Sequence, residues 1–182
     1  MSRWSRFAAI VTALLSVGCS TKPPSDVTVI SDFQLPEYLG HWYEIARLNH
    51  PFERGLDHVT AHYSMRSDGG VKVVNRGYDV EKKQWKESVG KAYFTQTPNI
   101  ASLKVSFFGP FYGGYNVIEL DKQYRYALIC GPNKNYLWIL SRTPTLDDAV
   151  KQRLLATAQK YGFKTQDLIW VNQSPIDMNS PR

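Results

Sequence analysis

From residue 40 onward the side chains alternate with period two, and turns interrupt that alternation at short, even intervals. Val59, Ala61 and Tyr63 alternate with Thr60, His62 and Ser64, which gives that stretch one apolar and one polar face. Val71 and Val73 flank Lys72 in the same way, although Val74 breaks the rule. The pattern predicts strands near 40–48, 57–66, 71–79, 84–95, 100–109, 114–120, 124–131 and 135–142. Asp68-Gly69-Gly70 is a tight hairpin signal, and Asp121-Lys122-Gln123 and Pro132-Asn133-Lys134 mark later turns. Short sequential strands of this kind suggest an antiparallel meander, and eight of them closed on themselves leave no free edge.

Residues 145–161 follow a different period. Leu146, Val150, Leu154 and Tyr161 fall on one helical stripe, Thr145 and Asp148 resemble a capping box, and Gly162 stands where a C-terminal cap glycine belongs. A short final strand is expected at 167–171. The fold class is therefore all-β with one C-terminal helix: an eight-stranded antiparallel up-and-down β-barrel. A two-sheet sandwich is the alternative, and it does not account for the single late helix.

Gly40-His41-Trp42-Tyr43-Glu44 opens the first strand, and Leu140-Ser141-Arg142-Thr143-Pro144 closes the eighth. Together they resemble the signature of the lipocalins. In that pattern the tryptophan plugs the closed end of the barrel and the late arginine packs on its ring, roles that the resemblance gives to Trp42 and Arg142, with Gly40 alongside. A third family motif between the sixth and seventh strands survives only as Asp121. Lys91-Ala92-Tyr93-Phe94, the run from Lys104 through Tyr115 and the run from Tyr136 through Pro144 are similar to the bacterial outer-membrane lipocalins, relatives of apolipoprotein D, over about residues 28–172. The resemblance implies a barrel that carries one hydrophobic ligand inside, a capacity for which lipocalins themselves are the standard illustration.

Trp42 and Arg142 set the inward parity of the first and eighth strands; the more apolar face and the family pattern set the rest. The expected ligand lining is Ala46, Val59, Ala61, Tyr63, Val73, Asn75, Ala92, Phe94, Val105, Phe107, Tyr115, Val117, Tyr126, Leu128, Tyr136 and Trp138. Both faces of the fourth and sixth strands carry aromatics, which leaves their parity open. The same parity points Glu44 and Glu119 inward. Each then needs a partner, Arg142 or a tyrosine hydroxyl, unless it lies at a wet rim. The loops at 49–56, 80–83, 109–113 and 131–134 surround the mouth if Gly40 starts at the closed end. Phe111 and Tyr112 are open to four roles: lining the entrance, touching a membrane, docking a second subunit as a homodimer, or folding back on the barrel.

The N-terminus carries an address. Arg3 and Arg6 precede an apolar run from Phe7 to Val17, too short for a bilayer span but suited to a secretory signal. Ser16-Val17-Gly18-Cys19 resembles a bacterial lipobox, with Ser16 at the place usually held by Leu. This implies cleavage after residue 18 and acylation of Cys19. Ser20 rather than Asp follows, which in bacterial lipoproteins implies the outer membrane, facing the periplasm. Losing Arg3 and Arg6 lowers the formal charge from +6 to +4. Residues 19–32 read as a lipidated tether, 33–174 as the barrel domain with its helix, and 175–182 as a C-terminal tail. With Cys19 acylated, Cys130 is a lone thiol acting as a small apolar filler.

No Gly-x-Ser-x-Gly elbow or phosphate loop occurs. His58 and His62 are four apart, but strand geometry separates such residues by roughly 13 Å, too far to share a metal. No metal or cofactor is expected, and the scattered Lys and Arg form no basic stripe for nucleic acid. The expected function is non-enzymatic binding, storage or transport of a lipid at the outer membrane; the family implies fatty acids or lysophospholipids. Two alternatives remain: an enzyme using Glu44 or Glu119 on a lipophilic substrate, and a structural envelope protein with a filled barrel.

Overall fold

The computed structural model describes residues 20–176. Cys19 and the signal segment lie outside the described residues. Nine strands form the framework: β1 (Gly40–Leu48), β2 (Leu56–Met65), β3 (Val71–Asp79), β4 (Gln84–Phe94), β5 (Ser102–Phe108), β6 (Phe111–Leu120), β7 (Tyr126–Cys130), β8 (Leu137–Ser141) and β9 (Leu168–Trp170). A one-turn helix, α1 (Leu35–Tyr38), precedes β1, and α2 (Asp148–Lys160) follows β8. All strand pairs are antiparallel; β2 through β8 pair in order, β8 pairs with β1, and β1 returns to β2. Eight strands thus close into the expected barrel.

The closure has a seam. β1 pairs with β2 only over Gly40–Tyr43, and with β8 over Tyr43–Arg47. Its edge beyond Tyr43 goes to β9, which pairs with Ala46–Leu48. The chain after β9 continues between the two strands: Val171 N donates to Ile45 O, His58 N donates to Asn172 O, and the Gln173 amide donates to Glu44 O and Val59 O. These bonds satisfy backbone groups that the splayed ladder leaves open.

Helix α2 packs outside the barrel. Leu154 and Ala158 are buried against Ile45, Leu137, Ile139 and Leu128, while Leu146, Val150 and Tyr161 pack at the edges. Asp147, not Thr145, is its N-cap: the Asp147 carboxylate accepts from Ala149 N, and the helix begins three residues later than the sequence pattern suggests. At the other end Gly162 takes φ +75°, Phe163 N donates to Ala158 O and Gly162 N to Gln159 O, the double bond pattern of a glycine-capped terminus.

Much of the stretch read as a tether lies on the barrel. Val27 is buried in the cluster under α2, Asp26 pairs with Lys134 at 2.8 Å, and Ile30 N donates to Val117 O. Val27, Val29 and Ile30 are the apolar side chains that dock it.

Candidate functional site: the barrel lumen

The closed end is built around Trp42. Its ring is fully buried and its Nε1 donates to Tyr38 O at 2.8 Å. The Arg142 guanidinium lies 3.9 Å from the ring centroid and donates to three carbonyls, those of Glu37, His41 and Tyr124. It therefore ties α1, β1 and the β6–β7 turn together over the plug. Gly40 takes φ +92°, a conformation that L side chains rarely adopt, and a Cβ there would stand 3.5 Å from the Arg142 Nη1. Asp121 closes the β6–β7 turn: Arg125 beside it holds its carboxyl well below the usual range, and its oxygens also accept from the backbone of Gln123 and Arg125. Phe33, Tyr38 and Phe94 complete the floor, with Phe33 5.1 Å from Tyr38 and 6.1 Å from Phe94.

Above the floor three phenols form a chain. Tyr115 Oη is 2.6 Å from Tyr38 Oη and 2.9 Å from Tyr63 Oη. Burial raises the pKa of all three well above the ordinary tyrosine value, so they stay neutral hydroxyls. They satisfy one another inside the lumen.

Toward the mouth the wall becomes more accessible. Ala61, Val73 and Ala92 are buried, but Asn75, Val105, Tyr136 and Trp138 are only half-buried while facing inward. Trp42 at the floor has no exposure at all, nor do Val117, Ala127 and Ile129 on the inner face of β6 and β7. The barrel is thus sealed at the Trp42 end and partly accessible at the other.

A polar cluster sits on this upper wall. Arg47 is buried, donates from Nη1 to Glu44 Oε1 at 2.8 Å, and donates from Nη2 to the carbonyls of Glu53 and Leu56. His50 Nε2 lies 2.8 Å from Glu53 Oε2, and Trp138 Nε1 donates to Glu53 at 3.1 Å. Burial, with the Glu53 carboxylate nearby, pushes the Glu44 carboxyl up well above its ordinary value, against the pull of Arg47. Burial acts the same way on Glu53, but His50, Trp138 and Arg47 more than offset it and hold that carboxyl down. Among the described residues Arg47 Nε and His50 Nδ1 are buried without a partner.

The structure brings most of the expected lining together. Val59, Ala61, Tyr63, Val73, Asn75, Ala92, Phe94, Val105, Phe107, Tyr115, Val117, Tyr136 and Trp138 have inward parity or line the floor and mouth. Ala46, Tyr126 and Leu128 do not: all three belong to the outer cluster under α2. A bulge between Glu44 and Ala46 turns Ala46 outward, opposite Ile139. In β7 both faces are buried, so alternation carried no information; the register Ala127↔Leu140 and Ile129↔Trp138 puts Ala127 and Ile129 inside instead. A second bulge, between Val117 and Glu119, turns Glu119 outward, where Arg153 of α2 donates to it at 2.9 Å. Glu44 does point inward, but its partner is Arg47, not Arg142 or a tyrosine.

Arg47, His50 and Glu53 escaped the sequence reading. Glu44 with Arg47 and His50 with Glu53 are both three residues apart, a spacing that points to opposite faces of a regular strand. Two opposite-charge pairs bracketing the end of β1 were the available signal, interpretable only with the bulge. Cys130 is a free, buried thiol, pushed up to about 12 by its surroundings. No cluster of three or more His, Cys, Asp or Glu able to hold a metal occurs among the described residues.

A plugged eight-stranded cup with one helix outside it defines a class, and the lipocalin-like domain family matches residues 33–173: the chain belongs to the lipocalins. Insecticyanin from the tobacco hornworm Manduca sexta superposes with a TM-score of 0.67, covering 83% of this chain and 86% of that one; at 21% identity this shows the shared fold alone. The chain is 59% identical to the outer membrane lipoprotein Blc of Citrobacter freundii over 167 residues, 91% of this chain and 94% of the relative. It is 53% identical to that of Vibrio cholerae, over 90% of this chain and 96% of the relative. It is a bacterial outer-membrane lipocalin, lipid-anchored there, and a binder of hydrophobic ligands.

Proposed function

We propose that the lumen holds one single-chain amphiphile, a fatty acid or lysophospholipid, which the protein stores or carries at the periplasmic face of the outer membrane. The observation that supports this reading most is that inward-facing Val105 and Trp138 remain half-exposed while Trp42 at the floor has no exposure. An acyl chain inserted tail-first would cover them. Burying a chain of ~16 carbons gains ~12 kcal/mol at ~0.8 kcal/mol per methylene. Association costs ~4–15 kcal/mol, which leaves room for roughly micromolar affinity or better. The head group would stay near the mouth, where Arg47 Nε and His50 Nδ1 are buried without partners.

The same cluster bears on the enzyme alternative. Glu44 is locked to Arg47, whose guanidinium is also fixed by the carbonyls of Glu53 and Leu56, an arrangement that suits a structural role. The test is a fluorescent fatty acid titrated into the protein and displaced by lysophospholipid. Saturable binding of one molecule per barrel with competition supports the proposal; no saturable signal with either lipid refutes it.

A further inference from the structure

Helix α2 and the docked N-terminal segment cover β6, β7, β8 and β1, but leave the outer face of β3, β4 and β5 bare. Its outward positions are Lys72, Val74, Arg76 and Tyr78 on β3, and Trp85, Glu87, Val89, Lys91 and Tyr93 on β4. On β5 they are Lys104 and Ser106; a bulge between Val105 and Phe108 breaks the register beyond them. Four cations on these strands stand against Glu87, and at the edge of the face Asp68 pairs with Arg66 at 2.8 Å and accepts from Tyr93. Val89 is 53% exposed on this face, and at the β5–β6 turn Phe108 is 73% and Phe111 67% exposed. Beside Val89 is a cleft of about 200 Å³ bordered by Arg66, Lys91, Ser106 and Phe107. The Ser106 hydroxyl is buried there with no hydrogen-bond partner.

The chain's anchored end arrives at this edge. Thr21 O lies so close to Gly114 of β6 that a Cβ there would come within 2.5 Å of it. Gly114 pairs directly with Lys104. Consecutive Cα atoms are 3.8 Å apart, so Cys19, the residue assigned the acyl chains, is only ~7.6 Å along the backbone from Thr21. A basic face carrying exposed Val89, an apolar turn at its edge, an unsatisfied hydroxyl beside Lys91 and a lipid anchor leaving from its border point to the same surroundings.

We propose that the β3–β5 face and the β5–β6 turn dock on the surface of a bilayer containing anionic phospholipid. The cations meet the headgroup phosphates, one phosphate oxygen accepts from Ser106 and the Lys91 side chain, and Phe108 and Phe111 at the turn enter the interfacial layer. Docking turns the cup on its side and brings its mouth, which the same turn borders, against the lipid. This contact is independent of what the lumen holds and adds to the acyl anchor.

The experiment uses the full acylated protein in vesicles, so attachment is constant and only orientation is read. A spin label is placed at Phe111→Cys, with Cys130 buried and Cys19 acylated, and in a second protein at Lys151→Cys on α2. In vesicles of phosphatidylethanolamine with phosphatidylglycerol, the label at 111 becomes more accessible to oxygen than to a water-soluble paramagnet. The label at 151 remains in water. In pure phosphatidylcholine the contrast at 111 falls, and combining Lys72→Glu, Lys91→Glu and Lys104→Glu abolishes it in the anionic vesicles too. An aqueous reading at 111 in anionic vesicles overturns the proposal. So does a label at 111 that is shielded in detergent in proportion to protein concentration, since a second copy then covers the face. Should the triple variant not fold, the difference between the two vesicle compositions decides on the parent protein alone.

Discussion

Replacing Arg142 with Ala removes a guanidinium that lies 3.9 Å above the Trp42 ring and donates to three carbonyls from three separate segments. The stacking contact is worth ~0.5–2 kcal/mol. A hydrogen bond from a charged donor is worth ~1.5–3 kcal/mol when its loss leaves a buried group unpaired. Arg142 is half-buried, and water can reach the carbonyls once it is gone, so the three bonds together count as about one such bond. The total is about 2–5 kcal/mol. In a domain of this size 1 kcal/mol moves Tm by ~2–4 °C, which predicts a fall of about 4–20 °C. Arg142→Lys keeps the charge but cannot present the planar fork to all three carbonyls, so it should lie between the parent and Arg142→Ala. Circular dichroism melting of the three proteins is the assay. If Arg142→Ala melts with the parent, or Arg142→Lys is as damaging as Ala, the plug is not held as described.

Gly40→Ala places a Cβ at φ +92° and should cost about 1–2 kcal/mol, seen as a lower urea midpoint with an unchanged slope. Leu154→Ala, fully buried between α2 and the barrel, should cost ~2–5 kcal/mol while leaving ligand affinity intact, checked by denaturation and titration on the same protein. Glu44 has a folded-state pKa raised above its ordinary 4.5, so its contribution to stability is fully present below that pH and is lost as pH rises toward the folded value. Glu44→Gln should therefore gain stability relative to the parent as pH increases from about 4.5. Parallel urea-stability profiles for the two proteins across that range would contradict the assignment. Trp138→Lys puts a charge on the half-exposed upper wall and should weaken fatty-acid binding at least tenfold, about 1.4 kcal/mol, with the barrel still folded by circular dichroism.

Strand identity was legible where one face meets solvent, as in β2, β3 and β4, because period two survives there. The plug was legible too, because Gly40, Trp42 and Arg142 are chemically distinctive residues. Parity failed at three places for two physical reasons. β7 is buried on both faces by the lumen and α2, so Tyr126 and Leu128 looked as suitable for the inside as Ala127 and Ile129. Bulges at Glu44/Ala46 and Val117/Glu119 each add a residue that reverses parity, and no residue in either segment announces one. The first bulge also assembled Glu44 and Arg47 on one wall, which is why the polar cluster went unforeseen. Docking of the N-terminal segment depends on Val27, Val29 and Ile30, three apolar residues in a stretch whose prolines and polar side chains otherwise describe a free linker.

The central claim is that the open half of the cup is a lipid site. Its most direct test is mass spectrometry of what the protein carries: a Cys19→Ser protein purified without detergent, extracted with organic solvent and quantified against its own concentration. The account predicts close to one single-chain lipid per barrel, enriched over its share of the cell's lipids and lost in Trp138→Lys. An extract with no lipid, or with bulk phospholipid in its ordinary cellular proportions and unchanged in Trp138→Lys, would contradict it.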